Sequence, residues 1–217
     1  MSTLRRSLLV AVAVAAVLAA AVAAWTLAPG SDQERSASGS AAIGGPFELV
    51  NTAGETVTPE DFDGRYRLIY FGYTYCPDVC PSSLMDMSRA LDRLAETAPA
   101  KAKRVVPIFI TIDPQRDTVE VMRNYVENFH PRMVGLTGSE QQVKTAADAY
   151  RVYYEKVSPE QYYDSEAAAD RSDADYLMAH SSYIFLMGPD GEYITNFKFK
   201  QTPAEIAEGL AQHVEPQ

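Results

Sequence analysis

Cysteine and histidine are both scarce in this chain of 217 residues: the two cysteines are Cys76 and Cys80, and the three histidines are His130, His180 and His213. As a disulfide, Cys76 and Cys80 would close a loop of ~5 residues, worth roughly 2 kcal/mol in the chain-entropy view, less than a bridge across the domain would give. Basic residues are also in the minority, 19 against 29 acidic, for a net charge of -10. Residues 1–28 hold Arg5, Arg6 and no acid, so the remainder carries 17 basic against 29 acidic residues, or -12. Such a surface repels nucleic acid and anionic lipid headgroups. It suits a cation or a basic protein patch as partner, and it also serves plain solubility. There is no internal repeat, and low complexity is confined to the N-terminal alanine-rich run and the segment after it.

What is present begins with that run. Ser7 to Ala28 is uninterruptedly apolar behind Arg5 and Arg6, and ~22 helical residues at about 1.5 Å each reach roughly 33 Å. A bilayer core is about 30 Å thick. The run exceeds the apolar core of a secretory signal, so an uncleaved single-pass anchor is expected, with the arginines inside, Trp25 near the outer interface and the domain exported. The small residues of Ala21-Val22-Ala23 allow a cleaved signal instead, which exports the domain equally. Residues 29–45 are rich in Gly, Ser and Ala and read as a flexible linker. The folded domain is expected over residues 46–217, with an apolar fraction of the whole chain, 47%, that is ample for a core.

Along that domain, Phe47 to Val50 and Glu55 to Val57 flank a turn and predict a hairpin. Tyr66 to Tyr73 reads as a buried central strand, and the cysteines follow it directly. From Pro81 the apolar spacing turns helical through Leu84, Met87, Leu91 and Leu94, ending near Thr97. Arg104 to Ile112 is another apolar strand, where Pro107 suggests an edge or a bulge. A helix over Thr118 to Phe129, a strand over Met133 to Leu136, a helix over Ser139 to Ala149 and a strand over Tyr150 to Val157 come next. Ser158 to Asp175 reads as a polar insertion. Tyr183 to Met187 and Tyr193 to Phe197 frame Gly188-Pro189-Asp190-Gly191 as a second hairpin, and Thr202 to Val214 is an amphipathic helix. Strands alternating with helices predict an α/β domain with a central mixed sheet flanked by helices.

Cys76 and Cys80, separated by Pro77-Asp78-Val79, sit between an early strand and the next helix, where thioredoxin-like domains carry reactive cysteines. One residue more than Cys-x-x-Cys weakens a redox reading. Thiolates four apart at a helix start can face one way, and soft sulfur suits Cu(I) or zinc. Spacing alone leaves metal and redox chemistry open. Of the histidines, His213 reads as a surface residue and His130, before Pro131, as a cation favoured by a helix C-terminus. His180 leads into a strand, and position alone does not make it a ligand. Asp113 reads as an Asp-Pro turn, and Asp117 or Thr118 as the cap of the helix that follows.

The run Phe71-Gly72-Tyr73-Thr74-Tyr75-Cys76-Pro77-Asp78-Val79-Cys80-Pro81 closely resembles the signature of the Sco/SenC family of copper-binding assembly factors for cytochrome c oxidase. The segments Thr111 to Thr118, Tyr150 to Tyr154, His180-Ser181 and Gly188 to Gly191 match in order. The resemblance implies a thioredoxin-like fold that binds copper, as Cu(I) and Cu(II), through Cys76, Cys80 and His180. It implies a copper metallochaperone rather than an enzyme, serving the CuA centre of cytochrome c oxidase subunit II, with another periplasmic copper chaperone as a conceivable donor. The place implied is the periplasmic side of a bacterial inner membrane, held there by the N-terminal helix. The alternative is an anchored thiol-disulfide oxidoreductase that reduces the CuA-site cysteines through Cys76 and Cys80. A peroxidase fits less well, since the cysteine motif brings Asp78 and no arginine. Where the family often has an aspartate before the histidine, this chain has Ala179.

Overall fold

Seven consecutive buried residues, Tyr66–Gly72, make a strand covered on both faces. A computed structural model describes residues 43–158, 161 and 175–216. The expected N-terminal span and most of the linker lie outside those residues, as does most of the polar insertion; among the described residues no helix is long and apolar enough to cross a membrane. Ile43 packs on the core and the Gly44 amide donates to the Ala149 carbonyl at 2.9 Å, so residues 43–45 belong with the domain.

In chain order the elements are β1 (Leu49–Asn51), β2 (Thr56–Val57), a 3-10 turn (Pro59–Phe62), β3 (Tyr66–Gly72), α1 (Val79–Thr97), α2 (Pro99–Arg104), β4 (Val105–Thr111), α3 (Val119–Val126) and β5 (Val134–Thr137). They continue as α4 (Glu140–Ala149), β6 (Tyr154–Val157), β7 (Leu177–His180), β8 (Tyr183–Met187), β9 (Tyr193–Lys198) and α5 (Pro203–His213). Seven strands form one mixed sheet in the order β2-β1-β5-β4-β3-β8-β9. The helices α3, α4 and α5 begin at Thr118, Ser139 and Thr202, whose hydroxyls accept from amides one turn on.

The parallel ladder of β3 on β4 runs from Tyr66↔Val105 to Gly72↔Thr111, so the loops after Gly72 and Thr111 emerge side by side. Antiparallel β8 starts at that same end, with Ile184 opposite Tyr70. The residues just before Tyr183 therefore arrive where the cysteine loop departs. Loops at the C-terminal ends of parallel strands are where α/β sheets build their sites.

Two expectations change. Pro107 lies in an interior strand, opposite Leu68 of β3, rather than at an edge. The ladder to β5 begins only at Ile108, so β4 is paired on one flank at the proline and its missing N–H has a place to go. The strand expected from Tyr150 begins at Tyr154, because Arg151 adopts a φ of 56°. The amides of Arg151 and Val152 bond back to the carbonyls of Asp148 and Ala147, closing α4 with a Schellman motif built on arginine instead of glycine. β6 then leaves the main sheet and pairs with β7 alone in a two-stranded sheet.

Candidate metal centre

Gly72 ends β3, and a Cβ there would stand 2.8 Å from the Cys80 Sγ. A bare backbone is what lets this sulfur rest against the sheet. Cys80 is buried in the first turn of α1, while Cys76, in the loop, is half-buried; both are free thiols. The Cys80 amide, one of the unpaired donors of a helix start, points at the Cys76 Sγ from 3.4 Å. Pro81 contributes no amide at this crowded end.

The two sulfurs divide their proton unequally. A hydrogen bond from the Cys80 thiol, joined by the Cys80 and Asp78 amides, outweighs burial and lowers the Cys76 thiol to about 6. Cys80 moves upward, because its hydrogen is engaged by Cys76 and because burial opposes its thiolate. The Tyr70 hydroxyl lies 3.8 Å from the Cys80 sulfur. The pair is thus an outer thiolate backed by an inner thiol.

His180 closes β7, opposite Tyr154 of β6. Its Nε2 is 3.6 Å from the Cys80 Sγ, and its Nδ1 is 3.0 Å from the Ser181 carbonyl. A carbonyl only accepts, so Nδ1 carries the hydrogen and the Nε2 lone pair faces the sulfur. Burial keeps the ring below the ordinary histidine pKa, hence neutral. The rings of Tyr70 and Tyr73 stand steeply inclined to it, at 73° and 85°, with ring centres 6.1 Å away in each case. A cavity of about 230 Å³ opens over Cys76 and His180, bordered by Tyr73, Asp78 and Met178. Ala179 also lines it, and Glu155 is its cross-strand neighbour.

The structure brings Cys76, Cys80 and His180 together from segments separated by 100 residues. Among the described residues no three acid, cysteine or histidine side chains form a ready-made metal cluster. The donors adjoin without converging, so an ion would have to draw them together. Two thiolates and an imidazole form a soft set that fits Cu(I) and accommodates Zn²⁺.

His213 is exposed, as its place in the terminal helix suggests. His130 corrects its expectation: it is buried, burial lowers its pKa, and Nδ1 accepts the Arg132 amide at 3.1 Å. It acts as a neutral acceptor, not a cation.

Asp113 turns the chain as expected, its carbonyl accepting the Arg116 amide at 3.2 Å and the Asp117 amide at 2.9 Å, whereas Asp117 is not the helix cap. Thr118 is the cap of α3. Asp117, fully buried, accepts from the Thr74 amide at 3.0 Å, the Thr74 hydroxyl at 2.5 Å and the Thr111 hydroxyl at 2.6 Å. It fastens the cysteine loop to the end of β4. Asp113 pairs with Arg116 and accepts the Tyr176 hydroxyl at 2.6 Å, just ahead of β7. An arginine between two acids after an all-apolar strand was the sequence signal for this cluster. The cysteine motif brings no arginine, but Arg116 arrives from the neighbouring loop, with its guanidinium carbon 4.5 Å from the Tyr75 ring centre.

A family model described as SCO1/SenC matches residues 35–215. The chain is 41% identical over 174 residues to the mitochondrial protein SCO1 homolog of Homo sapiens, covering 80% of this chain and 54% of that one. It is 37% identical over 182 residues to the mitochondrial SCO1 homolog 1 of Arabidopsis thaliana, covering 84% and 50%. It thus spans about half the length of these two curated relatives. The structure of Bradyrhizobium japonicum ScoI with copper bound is similar, with a TM-score of 0.67 and 39% identity over 80% of this chain and 100% of that one.

Proposed function

Because this chain belongs to the SCO1/SenC family, we propose that it is a copper metallochaperone that carries the ion on Cys76, Cys80 and His180 and serves cytochrome c oxidase assembly. The observation that carries the reading is the meeting of His180 Nε2 and Cys80 Sγ at 3.6 Å beside a Cys76 sulfur that accepts the Cys80 amide at 3.4 Å. Relatives solved with copper bound support the choice of ion. Three soft donors satisfy Cu(I) and leave the open cavity over Cys76 and His180 as the approach for an acceptor's ligand, so the cargo can pass by ligand exchange. The fold around the site resembles thioredoxin-like relatives, and the reading extends to subunit II as acceptor and to a periplasmic position tethered by the residues 7–28.

The test is a titration of the reduced, full-length chain with Cu(I) against a competing chelator. Near-stoichiometric retention is expected, lost on His180→Ala. Unchanged affinity in that variant removes His180 from the site.

A second reading has its own observation, the unequal pair. Cys76 as the outer thiolate could attack a target disulfide, and Cys80 could then release the reduced target and leave a Cys76–Cys80 disulfide. A redox titration separates the two: a couple far below about -300 mV leaves the disulfide resistant to re-reduction and counts against this reading.

A further inference from the structure

The two halves of the proposed copper site share no strand ladder. Cys76 and Cys80 follow β3 of the main sheet, whereas His180 ends β7 of the small one. The β3–β8 ladder brings the chain before Tyr183 to the cysteine loop but ends at Tyr70↔Ile184, four residues short of His180, so contacts beyond it set the final separation. Arg116, in the loop after β4, stands between them. Its guanidinium carbon lies 3.6 Å from the Tyr176 ring centre, 4.5 Å from Tyr75 and 5.8 Å from Tyr73. Tyr73 and Tyr75 belong to the cysteine loop, and Tyr176 leads into the strand that ends at His180. Arg116 also donates from Nη1 to the Tyr176 carbonyl at 2.9 Å, and its Nε meets Asp113 Oδ2 at 2.5 Å. Asp113 is itself fixed, 1% exposed, with its amide on the Thr111 hydroxyl and its second oxygen taking the Tyr176 hydroxyl. A planar cation held edge-on by a buried acid and stacked on aromatic faces from both segments is a clasp.

We infer that Arg116 is a positioning residue for copper: it clamps the strand that bears His180 onto the loop that bears Cys76, and so sets the distance between imidazole and thiolates. The inference rests on the copper-site reading above. Arg116 holds the neighbours of the ligands, and the about 10–100-fold change in metal affinity on losing a group bonded directly to a ligand sets the scale for its loss. Lysine keeps the charge but neither the fork nor the plane, so charge alone should not restore the clasp.

The experiment is Cu(I) competition on the reduced, full-length chain for wild type, Arg116→Gln, Arg116→Lys, His180→Ala and the double variant that combines Arg116→Gln with His180→Ala. Arg116→Gln is expected to weaken binding about 10–100-fold, with Arg116→Lys close to it. In the His180→Ala background the same Arg116→Gln change should cost less than about threefold, because the ligand it positions is gone. Imidazole nitrogen coupling in the spin-resonance spectrum of the Cu(II)-loaded chain should weaken in Arg116→Gln while thiolate absorption persists. If Arg116→Gln does not fold, Tyr176→Leu opens the clasp from the other side and carries the same comparison. Equal losses with and without His180, or undiminished affinity in Arg116→Gln, overturn the inference while leaving the copper site intact. Loss of copper retention by wild type, or none in His180→Ala, removes the copper-site reading and this inference with it.

Discussion

The Cys76 thiol, lowered to about 6, should reveal itself in how alkylation depends on pH. At about pH 7 such a group is roughly 90% thiolate, against about 3% for a free cysteine near 8.5, a gain of about thirtyfold. Nucleophilicity falls with basicity at a slope of about 0.4–0.5, which takes back roughly tenfold, so the neutral-pH rate should exceed that of a free thiol only two- to threefold. The diagnostic quantity is therefore the midpoint of the profile, not the rate. Iodoacetamide labelling of the reduced, copper-free chain, read site by site by mass spectrometry, should titrate at Cys76 with a midpoint near 6. Cys80, buried and held as a thiol, should remain unlabelled on the same timescale. The Cys80→Ala variant deletes the largest cause of the shift, the donated S–H, and leaves the two backbone donors, so its midpoint should move toward the free-cysteine range without reaching it. A wild-type midpoint near 8.5, or a Cys80→Ala midpoint that does not move, refutes the hydrogen-bonded pair.

Asp117→Ala strands three donors, two on Thr74 and one on Thr111. At about 1–3 kcal/mol for each donor left unpaired, and less where water reaches Thr74, urea unfolding should show a loss of about 3–6 kcal/mol; a loss under about 1 kcal/mol would mean that water replaces the carboxylate. Gly72→Ala drives a Cβ to 2.8 Å from the Cys80 Sγ and 2.9 Å from the Tyr70 ring. It should cost about 1–3 kcal/mol and weaken copper retention, and an unchanged melt would show that the sulfur has room to move. His130 is held neutral by burial, so its folded pKa lies below its unfolded value and the unfolded chain binds more protons between the two. Its stabilising contribution is whole above about pH 6.5 and is lost as pH falls toward the folded pKa. His180 is shifted the same way, so the difference between wild type and His130→Asn isolates the effect, and parallel stability profiles for the two would dismiss it.

How much of this was legible in the chain follows from how far each signal reaches. The burial of β3, the helical face of α1 and the turn at Gly188-Pro189-Asp190-Gly191 are local patterns, and each produced its element. Pro107 misled because an edge is a property of a neighbour: the proline is tolerated where β5 has yet to begin. Asp113 does turn the chain, but the buried role of Asp117 was not legible for a related reason, since an aspartate near a turn has the same sequence signature whether its oxygens face water or the donors of Thr74 and Thr111. Only the register Gly72↔Thr111 decides between these, by setting the loop of Asp117 beside the loop of Thr74. His180 was indicated by resemblance, and the structure adds what pattern could not carry. The group that fixes its tautomer is the Ser181 carbonyl, a backbone atom that every residue possesses. Resemblance can therefore nominate Cys76, Cys80 and His180, but which nitrogen faces the sulfur, and which cation holds the two segments at that distance, are set by backbone path and by Arg116, a residue sixty positions from the tyrosine it grips.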